Sequence, residues 1–407
     1  MSVVVRGLVG VVGVRIRRAR LTPYRLPLIR ELRTAHGRLK ERRGWLLELE
    51  SDSGERGWGD ACPFPGLPEA GVGVSAFGME SWSLCGERLA SLAASLLGES
   101  IDARDALFGG LLDTLLDACE AAAPDAPGAR FAIDCALHEL AARAESCSVA
   151  ELLARRLGTR AQTSLEVNAL VSGARPEAMV AQARELQAAG FQTFKLKVGA
   201  DSPETDLQRV TMLREALGSE SRIRLDANGA WTLARASSML RALAPLDIEL
   251  IEQPVAAHAI DDLARLRRAG QIRVAADESL ADPAGARALI AMGAADLLVL
   301  KPGALGGLRP AASLARAATE AGLDFFVTSL LDSALGVVAA THLAAALPSA
   351  GLAHGLGTSS LFAMDLAPQP EIQAGRLSVP TGPGWGMEVD PDRLARVALA
   401  EAIEISP

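Results

Sequence analysis

Between Lys195 and Lys301, a span of 107 residues, five short apolar segments each end in charged residues. They are FKLKVG (194–199), RLDANGAW (224–231), LIEQPV (250–255), AADESL (275–280) and LVLKPG (298–303). Measured from Lys197, the steps to Asp226, Glu252, Asp277 and Lys301 are 29, 26, 25 and 24 residues. That interval is about one strand plus one returning helix, the repeat length of a βα unit. Charges held in register at the ends of parallel strands are how a (β/α) barrel assembles a site on its C-terminal rim. An open doubly wound sheet is the alternative, but it would not bring charges from five successive strands to one point.

The flanking sequence extends the rhythm. SLEVNALVS (164–172) reads as a strand, and helix starts and stops then alternate: Pro176 and Gly190, Ser202-Pro203 and Gly218, Thr232 and Pro245, Gly270, Asp282-Pro283 and Gly293, Gly322, Ser333 and Pro348. With AHGLGTS (353–359) as a last strand, the count is eight strands separated by seven helices. Before this block, residues 14–58 are β-like with a turn at Asp52-Ser53-Gly54, and helical periodicity follows over 79–98, 103–120 and 128–145. Strands followed by helices without alternation suggest an α+β unit. The expected architecture is α/β: a capping α+β domain over 1–163, a modified TIM barrel of (β/α)7β form over 164–367, and a tail over 368–407 that returns to the capping domain. Residues 1–13 are expected to be a flexible lead into the first strand, because Arg6 interrupts the apolar run and it is too short to span a bilayer.

Composition excludes several functions. A formal charge of −8 gives no broad attraction to nucleic acid or anionic lipid. Five cysteines, odd in number and without CxxC spacing, read as reduced thiols of a cytoplasmic protein.

Three carboxylates from consecutive strands, Asp226, Glu252 and Asp277, would repel one another unless a cation sits between them. An all-oxygen set favours Mg²⁺, with Mn²⁺ able to substitute. The plainer alternative is three independent polar caps. Lys195 and Lys197 are two apart on a strand and so share a face, the barrel interior. Lys301 lies on the opposite side of the mouth. A lysine acting as a base near neutral pH needs its pKa of about 10.4 lowered by roughly 2–3 units, and desolvation, a second lysine and a divalent ion all push that way. The alternative is that the lysines only neutralise the acids. A divalent ion facing a lysine suits removal of a proton α to a carboxylate, so a small carboxylate is the expected substrate.

The KLK, LDAN, IEQP, ADES and LKP pieces, in this order, resemble the enolase superfamily and its muconate-lactonising subgroup. A lysine base paired with Mg²⁺ is a known pattern of that superfamily. The resemblance implies Asp226, Glu252 and Asp277 as metal ligands, Lys197 as the catalytic base, and Lys195, Asn228 and Glu278 in support. Within the subgroup, PYRLPL (23–28), HGRLKERRG (36–44), GWGDACPFPGLPEA (57–70), TSLLDSALGVVAATHLAAALP (328–348) and HGLGTSSLFAMDLA (354–367) look most like the o-succinylbenzoate synthases of menaquinone biosynthesis. That implies a lyase in which Lys301 lies against the ring of the intermediate. Asp60 stands where that family usually has Glu, which bears on how the first-domain loop seats on substrate. Rival expectations are an N-succinyl amino acid racemase or dipeptide epimerase, then a muconate cycloisomerase, then a non-catalytic barrel. Three weaker signals remain. Gly303, Gly306 and Gly307 read as a turn rather than a phosphate cradle. His138 reads as a helix-face residue and His354 as lining the mouth. Lys40 and Arg42 read either as ligands for a distal carboxylate or as solvated charges.

Overall fold

The computed structural model describes residues 13–34, 37–64, 77–102, 110–172, 175–348 and 351–406. The expected lead segment over 1–13 lies outside them except for Gly13, as does most of the Pro- and Gly-rich stretch between 62 and 76.

The first domain is built on a sheet of β1 (Gly13–Thr34), β2 (Gly37–Ser51) and β3 (Arg56–Ala61). The β2–β3 turn falls at the anticipated Asp52-Ser53-Gly54, with Gly54 at φ 87°. Helix α1 (Trp82–Leu96), strand β4 (Ser100–Asp102) and helices α2 (Leu111–Ala122), α3 (Pro127–Ala144) and α4 (Val149–Leu157) complete it. Helix α3 is buried on every side from Pro127 to Ala142, and its polar residues are partnered there, Glu139 accepting the Trp58 N–H and binding Arg143. It lies directly on β3: a Cβ at Gly59 would come within 1.9 Å of the Ala132 carbonyl oxygen. Helix α4 was not among the expected elements, although Ser148 and Glu151 form a capping box and Gly158 closes the helix in the left-handed region.

The second domain follows the βα rhythm. Strands β5 (Ser164–Glu166) and β6 (Ala169–Val171) come first, then α5 (Pro176–Ala188), β7 (Thr193–Lys197), α6 (Pro203–Leu217), β8 (Arg222–Asp226), α7 (Leu233–Leu243), β9 (Ile248–Glu252) and α8 (Ile260–Ala269). After them come β10 (Val274–Ala276), α9 (Pro283–Met292), β11 (Leu297–Leu300), the single turn α10 (Pro302–Leu305), α11 (Leu308–Glu320), β12 (Asp324–Val327) and α12 (Ala334–Ala346). Ser202, Thr232, Asp282 and Ser333 each accept a first-turn N–H, and Gly270 and Gly293 end their helices in the left-handed region. The start and stop signals therefore fall where the sequence puts them.

Strands β6 to β12 form one curled parallel sheet in sequence order. The eight-strand count needs correcting at both ends. The expected first strand divides, β5 pairing with the tail and β6 entering the barrel. The expected last strand is reduced to two parallel bridges, Val167 with His354 and Thr328 with Gly355, which join the sheet's two edges. Gly355 is needed there, because a Cβ would meet the Thr328 hydroxyl at 2.3 Å.

The tail contributes β13 (Ile372–Gln373), β14 (Arg376–Ser378), α13 (Pro391–Val397) and β15 (Ile403–Ile405). Strand β15 pairs with β1, and the fully buried Trp385 donates its indole N–H to the Trp58 carbonyl at 3.2 Å. All five cysteines are free and buried. Among the described residues, no helix is long and apolar enough to cross a membrane.

Candidate active site

The sheet register brings the marked charges together. Lys197 pairs with Asp226, and Asp226 with Glu252, across β7, β8 and β9. Glu252 is level with Ala275, so Asp277 ends the next strand just beyond it. Adjacent strands lie about 4.8 Å apart, so identical strand-end positions become neighbours without further instruction.

The two lysines of β7 have different surroundings. The Lys195 ammonium lies 3.0 Å from Asp226 Oδ2 and also donates to Glu252 Oε2, with its side chain 15% exposed. Burial pulls its pKa down, but Asp226, Glu252 and Asp277 outweigh that and hold it above the ordinary lysine value. Burial likewise opposes ionisation of Asp226, yet Lys195, Lys197 and Lys301 hold it below the usual carboxylate range. Lys195 is a locked cation. Lys197 is 42% exposed; it donates to the neutral Asn228 Oδ1 at 2.6 Å and stands 3.7 Å from Asp226. Asn228, at φ 43°, passes its amide N–H to Glu278 Oε1 at 3.0 Å. Burial, and then the neighbouring Asp277 charge, push Glu278 up to about 7.

On the far side, the Lys301 ammonium donates to Asp277 Oδ2 at 2.5 Å and lies 4.0 Å from the centre of the Phe77 ring. Gln253, which the sequence reading passed over, supports this edge. Its Oε1 accepts the N–H groups of Asp277 at 3.0 Å and Ser279 at 3.2 Å, at a strained φ of 36°. Its only sequence signal was its place after Glu252 in IEQP.

These groups open into a cavity of about 490 Å³ lined by Lys195, Lys197, Asp226, Asn228, Glu278 and Lys301. The opposite wall is of another kind: Leu32, Phe64 and Phe77 from the first domain, with Ser329, Leu330, Leu331, Gly355, Thr358 and Leu361 from the end of the barrel. A further signal lay in the sequence unused. The chain has only four lysines, and three of them line this one cavity.

The weaker expectations resolve as follows. Arg42 is buried and donates to the carbonyls of Cys62 at 2.6 Å, Pro63 at 3.0 Å and Leu331 at 3.0 Å, so it clamps the two domains. Lys40 is exposed and does not line the cavity. Asp60 is buried at the domain joint rather than on the cavity wall. It accepts the Tyr24 hydroxyl and the N–H and hydroxyl of Ser333, at 3.1 and 2.8 Å. His354 accepts the Val327 N–H at 3.1 Å instead of facing the mouth, and burial lowers its pKa to about 4. His138 is fully buried, its Nδ1 2.9 Å from the Asp134 carbonyl one turn back along α3. Gly306 and Gly307 turn closely against Arg130 and Asp134 of α3, where a Cβ would come within 2.7 and 2.3 Å of those side chains.

Comparison with known proteins finds relatives along most of the chain. Residues 178–393 match the family model described as enolase C-terminal domain-like, and residues 16–154 match the mandelate racemase / muconate lactonizing enzyme N-terminal domain. A chloromuconate cycloisomerase of Pseudomonas putida is 31% identical over 82% of this chain and 89% of its own length. An o-succinylbenzoate synthase of Thermobifida fusca is 37% identical over 59% of this chain and 72% of its own. Among solved structures, a dipeptide epimerase from Cytophaga hutchinsonii complexed with Mg and D-Ala-L-Val superposes with a TM-score of 0.83 at 27% identity. It covers 96% of this chain and 100% of that one.

A bound cation can be tested against the side chains themselves. Among the described residues no three acid, histidine or cysteine side chains stand together as a preformed ligand set. The acids are instead bridged by ammonium groups. Yet Glu252 Oε1 and Asp277 Oδ1 are buried with no hydrogen-bond partner. Buried carboxylate oxygens left unpaired are costly, and a hard divalent ion is the partner such oxygens suit. The donor set fits Mg²⁺.

Proposed function

The chain belongs to the enolase superfamily, in its mandelate racemase / muconate lactonizing enzyme branch, and from that premise we propose that it is a Mg²⁺-dependent lyase of the o-succinylbenzoate synthase type. Members of the superfamily bind Mg²⁺ and are mostly lyases or isomerases. The reaction is loss of water from 2-succinyl-6-hydroxy-2,4-cyclohexadiene-1-carboxylate, giving the aromatic 2-succinylbenzoate.

Asp226, Glu252 and Asp277 would hold the ion, which when bound supplies positive charge for the substrate carboxylate as its α-carbon loses a proton. Lys197 is the base. It is the exposed member of its pair and faces a neutral amide, whereas Lys195 is locked as a cation by two carboxylates. As a free amine Lys197 takes the α-proton. The ammonium so formed returns a proton to the hydroxyl on the adjacent ring carbon, which departs as water. Lys195 holds Asp226 below the usual carboxylate range and opposes the burial that raises Glu252. Lys301 presents its ammonium to the substrate ring, an attraction of about 0.5–2 kcal/mol.

The observation that carries the choice of substrate is the composition of the second wall. Among the described residues, the lining from β12 to residue 361 holds hydroxyls and apolar side chains but no carboxylate. Asp365 is buried outside the lining, its Oδ1 accepting the N–H groups of Ala334 and Leu366. Such a wall suits an unsaturated ring and gives a substrate ammonium no counter-charge, which disfavours dipeptides. Lysines on both sides of the cavity support a second reading, racemisation of N-succinyl amino acids, where the amine is masked. Purified protein should be assayed with Mg²⁺ for formation of 2-succinylbenzoate, beside racemisation of N-succinyl amino acids and of dipeptides. Dehydration with the highest kcat/KM supports the reading, and faster racemisation with negligible dehydration replaces it with the second.

A further inference from the structure

The three cavity lysines are not seated alike. Lys195 and Lys197, on β7, find their partners within the barrel, on β8, β9 and the residues that follow β8. Lys301 is held between one barrel carboxylate, Asp277, and the face of an aromatic ring supplied by the other domain, Phe77. A cation within about 6 Å of a ring centre is attracted by the ring's quadrupole, more strongly where water is excluded. Here the distance is 4.0 Å and Lys301 is only 9% exposed.

The ring is itself fixed. Phe77 packs edge to face on Phe64, with centroids 5.8 Å apart and planes at 83°. The Arg42 guanidinium lies 4.9 Å over Phe64 and is tied to carbonyls of both domains. Around the two rings, Met79 of the first domain meets Ala304 and Leu330 of the barrel in an apolar cluster separate from the main core. A contiguous stack of cation, ring, ring and cation therefore runs from the domain clamp to a cavity lysine.

We propose that Phe77 is a positioning residue for Lys301, its ring face seating the ammonium so that this lysine is placed only when the capping domain is docked. The inference rests on the reading that Lys301 acts in the site, but its seat can be tested without substrate.

The scarcity of lysine makes that test clean. Besides Lys195, Lys197 and Lys301 the chain has only Lys40, which is exposed. Folded protein would be reductively methylated with formaldehyde and cyanoborohydride, and occupancy at each lysine followed by mass spectrometry. In Phe77→Leu, which keeps apolar bulk but removes the ring, labelling of Lys301 should rise roughly 2- to 30-fold, the span that corresponds to a cation–π contact. Phe77→Tyr should restore the wild-type rate, and Lys40 and Lys195 should be unaffected in both. Equal Lys301 rates in wild type, Leu and Tyr proteins would overturn the proposal. So would a rise shared by Lys195, which marks general loosening, or a Tyr variant that behaves like Leu, which marks packing rather than the ring face. In turnover assays the Leu variant should lose kcat while KM changes less. If no dehydration is found but the labelling pattern holds, the seat stands and the substrate assignment is what fails.

Discussion

The two walls of the cavity are made in different ways. One, from β7 to β11, presents lysines and acids whose charged partners lie on, or just beyond, the strands of a single sheet. The other mixes hydroxyls and apolar side chains from the end of the barrel with, among the described residues, Leu32, Phe64 and Phe77 of the first domain. On the proposed reading, the first wall holds the groups that move protons and hold a cation. The second shapes what can lie against them. A chain can therefore keep its chemistry while changing its substrate, by altering residues that share no sheet with the acids and lysines.

The sharpest way to break this division is to remove the base. Lys197→Ala should lower kcat by about 10²- to 10⁴-fold with KM little changed, the range for a general base. Near-native turnover would place the chemistry elsewhere. Glu252→Gln should act next most strongly. It takes one of two carboxylates from a buried ammonium, and breaking a buried pair costs about 3–5 kcal/mol. Mg²⁺ should raise the thermal midpoint of the wild type and not of this variant, since a ligand stabilises only the fold that binds it. An equal Mg²⁺ response in both proteins would remove Glu252 from the metal site.

The second wall has its own pH dependence. His354 joins the sheet's edges as a neutral acceptor, with a folded pKa near 4 against an ordinary 6.5. The unfolded chain takes up that proton first as pH falls, so stability present above pH 6.5 is lost progressively down to about pH 4. The loss should reach about 3 kcal/mol. Glu139 and Asp365, each raised by burial to about 7, act with the opposite sign, so the measurable quantity is the difference from a variant. In denaturant titrations from pH 7.5 to 4, the advantage of wild type over His354→Gln should shrink as pH falls. A constant difference would mean that His354 does not titrate in this way. The smallest effect is expected at Thr358, whose hydroxyl lies 2.6 Å from that of Ser329. Thr358→Val should raise KM several-fold, about 1 kcal/mol for one hydrogen bond, and leave α-proton exchange in D₂O nearly intact. A collapse of exchange would join the two walls functionally.

The first wall was legible because its logic is local. Each βα unit carries its own cap and stop, from Ser202-Pro203 to Gly218 or from Asp282-Pro283 to Gly293, and the charges keep step with them. What escaped was non-local or divided. Helix α4 was overlooked despite its capping box. The first barrel strand split because Ser164–Glu166 pairs with a tail strand more than 200 residues away. Asp60 was read only as a departure bearing on how the first-domain loop seats, and its partner Ser333 lies 273 positions along the chain. Arg42 was weighed as a substrate ligand and proved to be a clamp, since nothing in HGRLKERRG tells which arginine will find buried carbonyls.

From its sequence alone the chain determines a repeating βα barrel with a capping domain, and it places Lys195, Lys197, Asp226, Glu252, Asp277 and Lys301 on one rim. Strand period and helix caps act over a few residues, and register does the rest. Only the tertiary structure decides that Lys195 is locked while Lys197 stays open, that Phe77 meets Lys301, and which residues line the second wall. Those outcomes depend on which side chains become neighbours across the sheet and across the domain joint, where burial and charge act through space rather than along the chain.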